Sequence, residues 1–281
     1  MITVHTIEEV QDFIAQERAA GKTIGFVPTM GALHDGHLSL VEVSKKHGHS
    51  TIMSIFVNPT QFGPNEDFEK YPRTLDTDKN LAAFAGVNLL FAPSINTVYP
   101  EENKHFIEPP IQMNSVLCAP FRPGHFRGVC TVVNRLLDIV QPNEMFLGQK
   151  DGQQLRILQE AMKSLHSNIK ITGVPTMRES SGLAMSSRNK YLSMKEKEHA
   201  LVLYKALSAG LQIYRAGEKS AEKIIHAAHR ILENESSFKL QYLELVRWSD
   251  FTKTESVLEK SMLAIAGHMG STRLIDNVIL E

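Results

Sequence analysis

Two cysteines in 281 residues, Cys118 and Cys130, supply neither the even count of a disulfide framework nor the CxxC spacing of a redox or metal site. Both are read as reduced packing residues. An excess of charge is also missing. With 30 Lys and Arg against 31 Asp and Glu, the formal net charge is -1, which excludes a general polyanion binder, because such affinity comes from clustered cations. No nucleic-acid partner is expected, although a local basic pocket is compatible with this balance. No apolar run approaches the roughly 20 residues of a membrane span, and the start MITVHTIEEV lacks the charged-then-apolar layout of a secretory leader. A cytoplasmic protein with no membrane partner is expected. Internal repeats and low-complexity tracts are absent as well. The remainder, 42% hydrophobic and 22% charged, is ordinary for a globular chain long enough for one large domain or two.

What is present is an alternation of short apolar runs with helix-period segments. Thr6 followed by Glu9 forms a capping-box signature for a first helix ending near Gly21. TIGFV, TIMSIFV, VNLLFA, EMFLG and IKITGV are then separated by helical stretches at 36–47, 75–85, 126–140 and 152–165. The 126–140 segment is the clearest: Val129, Val132, Val133, Leu136, Leu137 and Val140 share one face. Continuous apolar strands between helices indicate a parallel sheet covered on both faces, an α/β fold whose ligands gather at the carboxyl ends of the strands. Beyond about Pro175 the rhythm changes to two capped helices, opened by Ser193 and Ser220, and three strand-like runs. That order suggests a smaller α+β domain, and the fold expected is a doubly wound sheet over 1–176 followed by this domain over 177–281.

Several strand-end loops carry chemistry. In TMGALHDGH, Gly31 and Gly36 permit tight turns, and the following helix offers unpaired N–H groups and a positive dipole end to an anion. His34 and His37 can point to one side; two solvated or turn-capping histidines are the plainer alternative. In FLGQKDGQQL, Lys150 is a mobile cation suited to a phosphate, Asp151 opens a helix or bonds a ribose hydroxyl, and Gln154 lies one step along the same face. A surface loop with an N-cap aspartate is the plainer reading of this stretch by itself. AMSSRNKY groups Ser186, Ser187 and Arg188, hydroxyls beside a planar guanidinium fork suited to a polyphosphate, or a solvated loop. Asn58 and Gln61 leave a strand end among Phe56, Phe62 and Tyr71; neutral amides in an apolar wall suit a small hydroxylated acid, or else satisfy loop backbone. Asp76 and Asp78 could hold magnesium or belong to an ordinary first helical turn. Arg122, His125 and Arg127 form a second anion clamp or an exposed basic loop.

In order along the chain, these motifs resemble the pantothenate synthetase (pantoate-beta-alanine ligase) family, relatives of the class I aminoacyl-tRNA synthetases with a Rossmann-like fold. PTMGALHDGH resembles that family's HxGH segment, FVNPTQF its pantoate-binding strand end, GQKDGQQL its GxKDxQQ loop, and LAMSSRN its counterpart of the KMSKS loop. YPRT, RPGHFRGV and TRLIDN also match. The resemblance implies a ligase of pantothenate biosynthesis that joins (R)-pantoate to beta-alanine with consumption of ATP and with magnesium, through a pantoyl adenylate, in a homodimer. It makes 1–176 the ATP- and pantoate-binding domain and 177–281 a lid. It places Met30, Gly31, Ala32, Leu33, His34, Asp35, Gly36 and His37 on ATP, with His37 as proton donor and His34 supporting the phosphates. Gly148, Gln149, Lys150 and Asp151 would hold the nucleotide, and Met185, Ser186, Ser187 and Arg188 its phosphates. Met177 would meet the adenine through its backbone. His37, His34, Lys150 and Arg188 form the catalytic set. Gln61 would hold both pantoate and beta-alanine, Gln154 pantoate, and Asn58, Tyr71 and Arg122 are further contacts. Thr77 replaces an aspartate found beside Asp78 in some relatives, which weakens the magnesium reading of Asp78. Two rivals share parts of the pattern: a nucleotidylyltransferase acting on a phosphorylated substrate, which has no need of a Gln61 and Gln154 pocket, and a noncatalytic nucleotide sensor, which has no need of Lys150 and Arg188.

Overall fold

The computed structural model describes residues 1–64, 66–100 and 105–281. They divide into two compact units, the first formed by Met1–Ile111, Arg122–Gly148 and Ile157–Pro175, the second by Gln112–Phe121, Gln149–Arg156 and Thr176–Glu281. The last crossing, after Pro175, falls where the sequence rhythm changes; the two earlier stretches that join the second unit carry no such change.

The first unit is built on six parallel strands: β1 (Ile2–Val4), β2 (Ile24–Thr29), β3 (Ser50–Ile55), β4 (Leu89–Phe91), β5 (Glu144–Gly148) and β6 (Lys170–Val174). Their order is β1-β4-β3-β2-β5-β6. The connecting helices are α1 (Ile7–Ala19), α2 (Asp35–Lys46), α3 (Leu75–Ala85), the short α4 (Ile95–Val98), α5 (His125–Val140) and α6 (Gly152–Ala161), of which Gly152–Arg156 count with the second unit. Thr6 and Glu9 cap α1 reciprocally, and α5 buries the face that its spacing predicts, Val129, Val132, Val133, Leu136, Leu137 and Val140. Phe26, Ile52, Met53, Leu89, Leu90, Phe91, Met145 and Phe146 are almost wholly removed from water, each worth on the order of 2 kcal/mol of transfer free energy. Two details differ from expectation. β1 is a three-residue strand too short to stand out in sequence, and α6 stops at Ala161 rather than 165, giving way to a turn over 162–165.

Chain order runs outward from β2 to β3 and β4, then returns to β5 and β6, so direction switches between β2 and β5, where doubly wound sheets open a crevice. Pro28 contributes to this opening. The ladder from β2 to β5 covers only Gly25 and Phe26, whereas β3 pairs with all of β2; a proline has no N–H to extend the β5 ladder.

The second unit packs α7 (Met194–Arg215) and α8 (Ala221–Leu232) on an antiparallel sheet of β7 (Phe238–Arg247), β8 (Ser261–Met269) and β9 (Thr272–Leu280), in that order. Its core joins Leu203 and Leu207 of α7, Ile224 and Ala228 of α8, and Leu245, Leu263 and Ile265 of the sheet. Ser193 and Glu196 form the capping box that opens α7.

Candidate active site

The turn after β2 is held from inside the fold. Gly31 adopts φ +82°, and a Cβ there would lie 3.0 Å from both Asp78 Oδ2 and Ile55 Cγ2, so both conformation and space call for glycine. Asp78, buried on α3, accepts the Ala32 N–H at 2.9 Å on Oδ2 and the Leu33 N–H at 2.8 Å on Oδ1. Thr74 donates to Oδ2 as well, at 3.2 Å. The loop ends in an unusual cap made by two histidines. His34 Nδ1 accepts the Gly36 N–H at 3.1 Å, and His37 Nδ1 accepts the His34 N–H at 3.3 Å, in the reciprocal form of a capping box at the start of α2. An amide can only donate, so each Nδ1 is an acceptor and each neutral ring carries its proton on Nε2. The rings lie 4.1 Å apart, tilted by 39°. Two imidazole N–H groups are thereby presented at the N-terminus of a helix, where the dipole favours an anion.

Beside this turn is an amide whose orientation is fixed. Gln61 is buried, its Oε1 accepts Asn58 Nδ2 at 3.1 Å, and its Nε2 meets Met30 Sδ at 3.2 Å. Sulfur is a weak acceptor, so among the described residues the Gln61 N–H groups keep donor capacity for a ligand. Asn58 is saturated: its Nδ2 also donates to the Gly128 carbonyl at 3.2 Å, and its Oδ1 accepts Tyr99 OH at 2.8 Å and Thr60 Oγ1 at 3.0 Å. Gly128 permits that approach, since a Cβ there would sit 2.3 Å from the Thr60 carbonyl oxygen. Behind Gln61, His125 Nδ1 donates to its carbonyl at 2.8 Å, which leaves His125 Nε2 to accept Arg122 Nη1 at 2.9 Å. Arg122 in turn grips Glu66 with two bonds, Nε to Oε1 at 2.7 Å and Nη2 to Oε2 at 2.6 Å. Burial pushes the Glu66 carboxyl up, but the hydrogen bond and charge of Arg122 outweigh it and hold the group below the usual carboxylate range.

In the second unit, strand β9 does the positioning. Asn277 Nδ2 donates to the carbonyls of Gln149 and Lys150, each at 2.9 Å, and thereby fixes the turn before α6. The neighbouring Asp276 accepts both arms of Arg178, at 2.6 and 3.0 Å, while Arg178 lies 4.4 Å from the Tyr204 ring. Arg178 belongs to the loop in which the Met177 carbonyl accepts the Met185 N–H at 3.0 Å, and Ser186 Oγ caps the following turn by accepting the Arg188 N–H at 3.3 Å. Two adjacent residues of one strand thus anchor two loops. Lys150 has no ion pair, and Gln154 no side-chain hydrogen bond, among the described residues.

The model of the pantoate-beta-alanine ligase family matches residues 2–279. The pantothenate synthetase of Caldicellulosiruptor saccharolyticus is 45% identical over 281 residues, all of both chains. The chain belongs to the pantoate-beta-alanine ligase family. A crystal structure of the Thermus thermophilus pantothenate synthetase superposes with a TM-score of 0.92 at 40% identity, covering 99% of each chain. That of the Francisella tularensis ligase, complexed with beta-gamma ATP and beta-alanine, has a TM-score of 0.79 at 36% identity and covers 99% of this chain and 97% of its own. The expected fold, a parallel sheet with a smaller antiparallel unit, and the expected ligase family both stand.

Within this ligase three side chains have jobs other than those the sequence suggested. Asp78 does not fit an open magnesium ligand, because it is buried and three donors, the Ala32 and Leu33 amides and the Thr74 hydroxyl, already take up its carboxylate. Arg122 is not an anion clamp; Glu66 fills its fork. Asn58 orients Gln61 and has no donor left over. Arg127 pairs with Glu108 at 2.7 Å. Asp276, Asn277, Arg178 and Glu66 escaped sequence reading as individual residues. The signals for the first two were the TRLIDN match and the acid-amide pair that interrupts the apolar run of β9.

Proposed function

We propose that the ligase joins (R)-pantoate to beta-alanine in two steps, with ATP consumed to AMP and pyrophosphate. In the first, a pantoate carboxylate oxygen bonds to the α-phosphorus of ATP and the bond to the departing pyrophosphate breaks. In the second, the beta-alanine amine bonds to the acyl carbon of the pantoyl adenylate, AMP leaves with the bridging oxygen, and the nitrogen loses a proton. The observation that carries this reading is the paired histidine cap, two Nε2–H donors at a helix N-terminus, beside the fixed Gln61 amide. Negative charge accumulates on the α-phosphate and on pyrophosphate, so donors preorganised for oxyanions lower the barrier.

His37 and His34 donate to the phosphates, with Met30–Gly36 lining the nucleotide. Gly148–Asp151, Met177 and Met185–Arg188 are its other contacts, with Lys150 and Arg188 supplying cationic charge. Gln61 donates to pantoate and then to beta-alanine, and Gln154 to pantoate. An uncharged amide pocket suits a small hydroxy acid better than a phosphorylated substrate. On this reading residues 1–176 form the ATP- and pantoate-binding domain and 177–281 the lid. Magnesium belongs with the phosphates of ATP, and Asp78 takes no part in holding it. The assembly is a homodimer acting in the cytoplasm, for which light scattering should give twice the 31.5 kDa chain mass.

Pantoate labelled with oxygen-18 in its carboxylate tests the chemistry. One label should appear in AMP on completion by beta-alanine, with pyrophosphate as the other product. Label in inorganic phosphate, with ADP as coproduct, would mean acyl-phosphate chemistry and sink the proposal.

A further inference from the structure

At the amino ends of the strands the first unit holds a second cluster of polar groups, which the ligase chemistry does not use. His47 Nδ1 and His49 Nε2 both point at one oxygen of Glu144, Oε2, at 3.1 and 3.2 Å. The three ligand atoms lie within 4.8 Å of one another. His47 is the C-cap of α2, His49 precedes β3, and Glu144 opens β5. The helix between His34 and His47 has 12 residues, so the cluster is about 18 Å along α2 from the histidine cap.

We propose that His47, His49 and Glu144 form a binding site for a divalent transition-metal ion of the zinc class, a clasp between the C-terminal end of α2 and the sheet. Zinc bonds of about 2.0–2.2 Å in a tetrahedron put neighbouring ligand atoms about 3.3 Å apart, close to the two separations already present. Two imidazoles and a carboxylate are a zinc donor set, with water completing the shell. The surroundings also match what orients metal ligands. The second nitrogen of His49, Nδ1, lies 2.7 Å from Thr23 Oγ1, and the second oxygen of Glu144 accepts from Thr172 and from Lys170, the latter at 3.0 Å. Such outer contacts fix the ring tautomer and leave one carboxylate oxygen to the ion. The Glu144 side chain is 7% exposed and that of His49 9%, while that of His47 is 39% exposed and provides the way in. Lys170, 66% exposed, is the opposing element: its ammonium repels a second cation at Glu144.

The full chain, stripped with a chelator, is titrated with Zn2+ by calorimetry and with Co2+ by visible absorption. One ion per chain should bind, with the strong visible bands of low-coordinate cobalt and a higher melting temperature in zinc. His47→Ala and His49→Ala should each weaken binding by at least about 10-fold and abolish the bands. Lys170→Met should tighten it. His47 is exposed enough for its variant to fold, and circular dichroism of the metal-free protein checks this. No binding, equal affinity in both histidine variants and wild type, or weaker binding in Lys170→Met overturns the site. Because the cluster is remote from the histidine cap, metal-free His47→Ala should form adenylate at the rate of the metal-free wild type, which separates failure of this site from failure of the ligase mechanism.

Discussion

In the first unit the polar side chains around the candidate site direct their hydrogen bonds largely at one another: His37 at His34, Asn58 at Gln61, Arg122 at Glu66, and Asp78 at the histidine loop. In the second unit β9 holds the backbone of a loop, through Asn277, while Lys150 on that loop and Gln154 on the helix that follows it have no side-chain hydrogen bond or ion pair among the described residues. The difference teaches where preorganisation resides. A site whose donors are oriented before ligand arrives needs little reorganisation when charge develops, whereas a cation on a fixed backbone takes its partner from the ligand itself. The two kinds of region should respond differently to mutation, one in stability and activity together and the other in activity with little change in stability.

The largest effect should come from paired substitutions that break each kind of residue. His37→Ala and Lys150→Met should both lower single-turnover adenylation by about 100-fold or more. They should part company in denaturant. Lys150→Met should unfold within about 0.5 kcal/mol of wild type, as a substitution that breaks no ion pair among the described residues does, whereas His37→Ala should lose about 1 kcal/mol with its half of the capping box. Equal stability losses, or near-normal adenylation in either variant, would erase the contrast.

Next in size is Asp78→Ala. It strands the buried amides of Ala32 and Leu33, so urea unfolding should show a loss of about 3 kcal/mol, and the histidine cap should lose activity with it. If Asp78 were instead a magnesium ligand, excess magnesium would restore Asp78→Asn, and it should not. Smaller still is Asn277→Ala. Two carbonyl contacts vanish, for about 1–2 kcal/mol of stability, and kcat/KM should fall roughly 10-fold through a displaced Lys150. Combined with Lys150→Met, the Asn277 substitution should lower stability but little further activity, and additive activity losses would disconnect the two residues.

Sequence made the elements legible because periodicity and caps are local. The face of α5, the box of Thr6 and Glu9 and that of Ser193 and Glu196 all lie within a few residues of each other. The strand order, and the roles of Asp78 and Arg122, were not legible, because their partners are distant in the chain. Asp78 meets Leu33 across 45 positions, and Arg122 meets Glu66 across 56. Residue type alone cannot distinguish a carboxylate that binds an ion from one that accepts two amides. For Lys150 and Gln154, by contrast, no long-range side-chain hydrogen bond or ion pair among the described residues gives the motif a purely structural job.

The mildest prediction sharpens the comparison at the outer end of the Gln61 network. The Glu66 carboxyl is held below the usual carboxylate range in the folded protein; burial opposes this and Arg122 prevails. A carboxylate with a depressed folded value adds stability that is fully present above its unfolded value and lost as pH falls through its folded value. Wild type should therefore exceed Glu66→Gln by about 1 kcal/mol near neutrality, the worth of a half-buried bidentate pair. The gap should narrow on acidification from about pH 5 downward. Because Arg122 reaches Gln61 through His125, the variant should raise the KM for pantoate modestly while leaving that for ATP unchanged. Stability curves that run parallel from about pH 7 to about pH 3, or equal shifts in both KM values, would show that Glu66 neither titrates against Arg122 nor orients the amide.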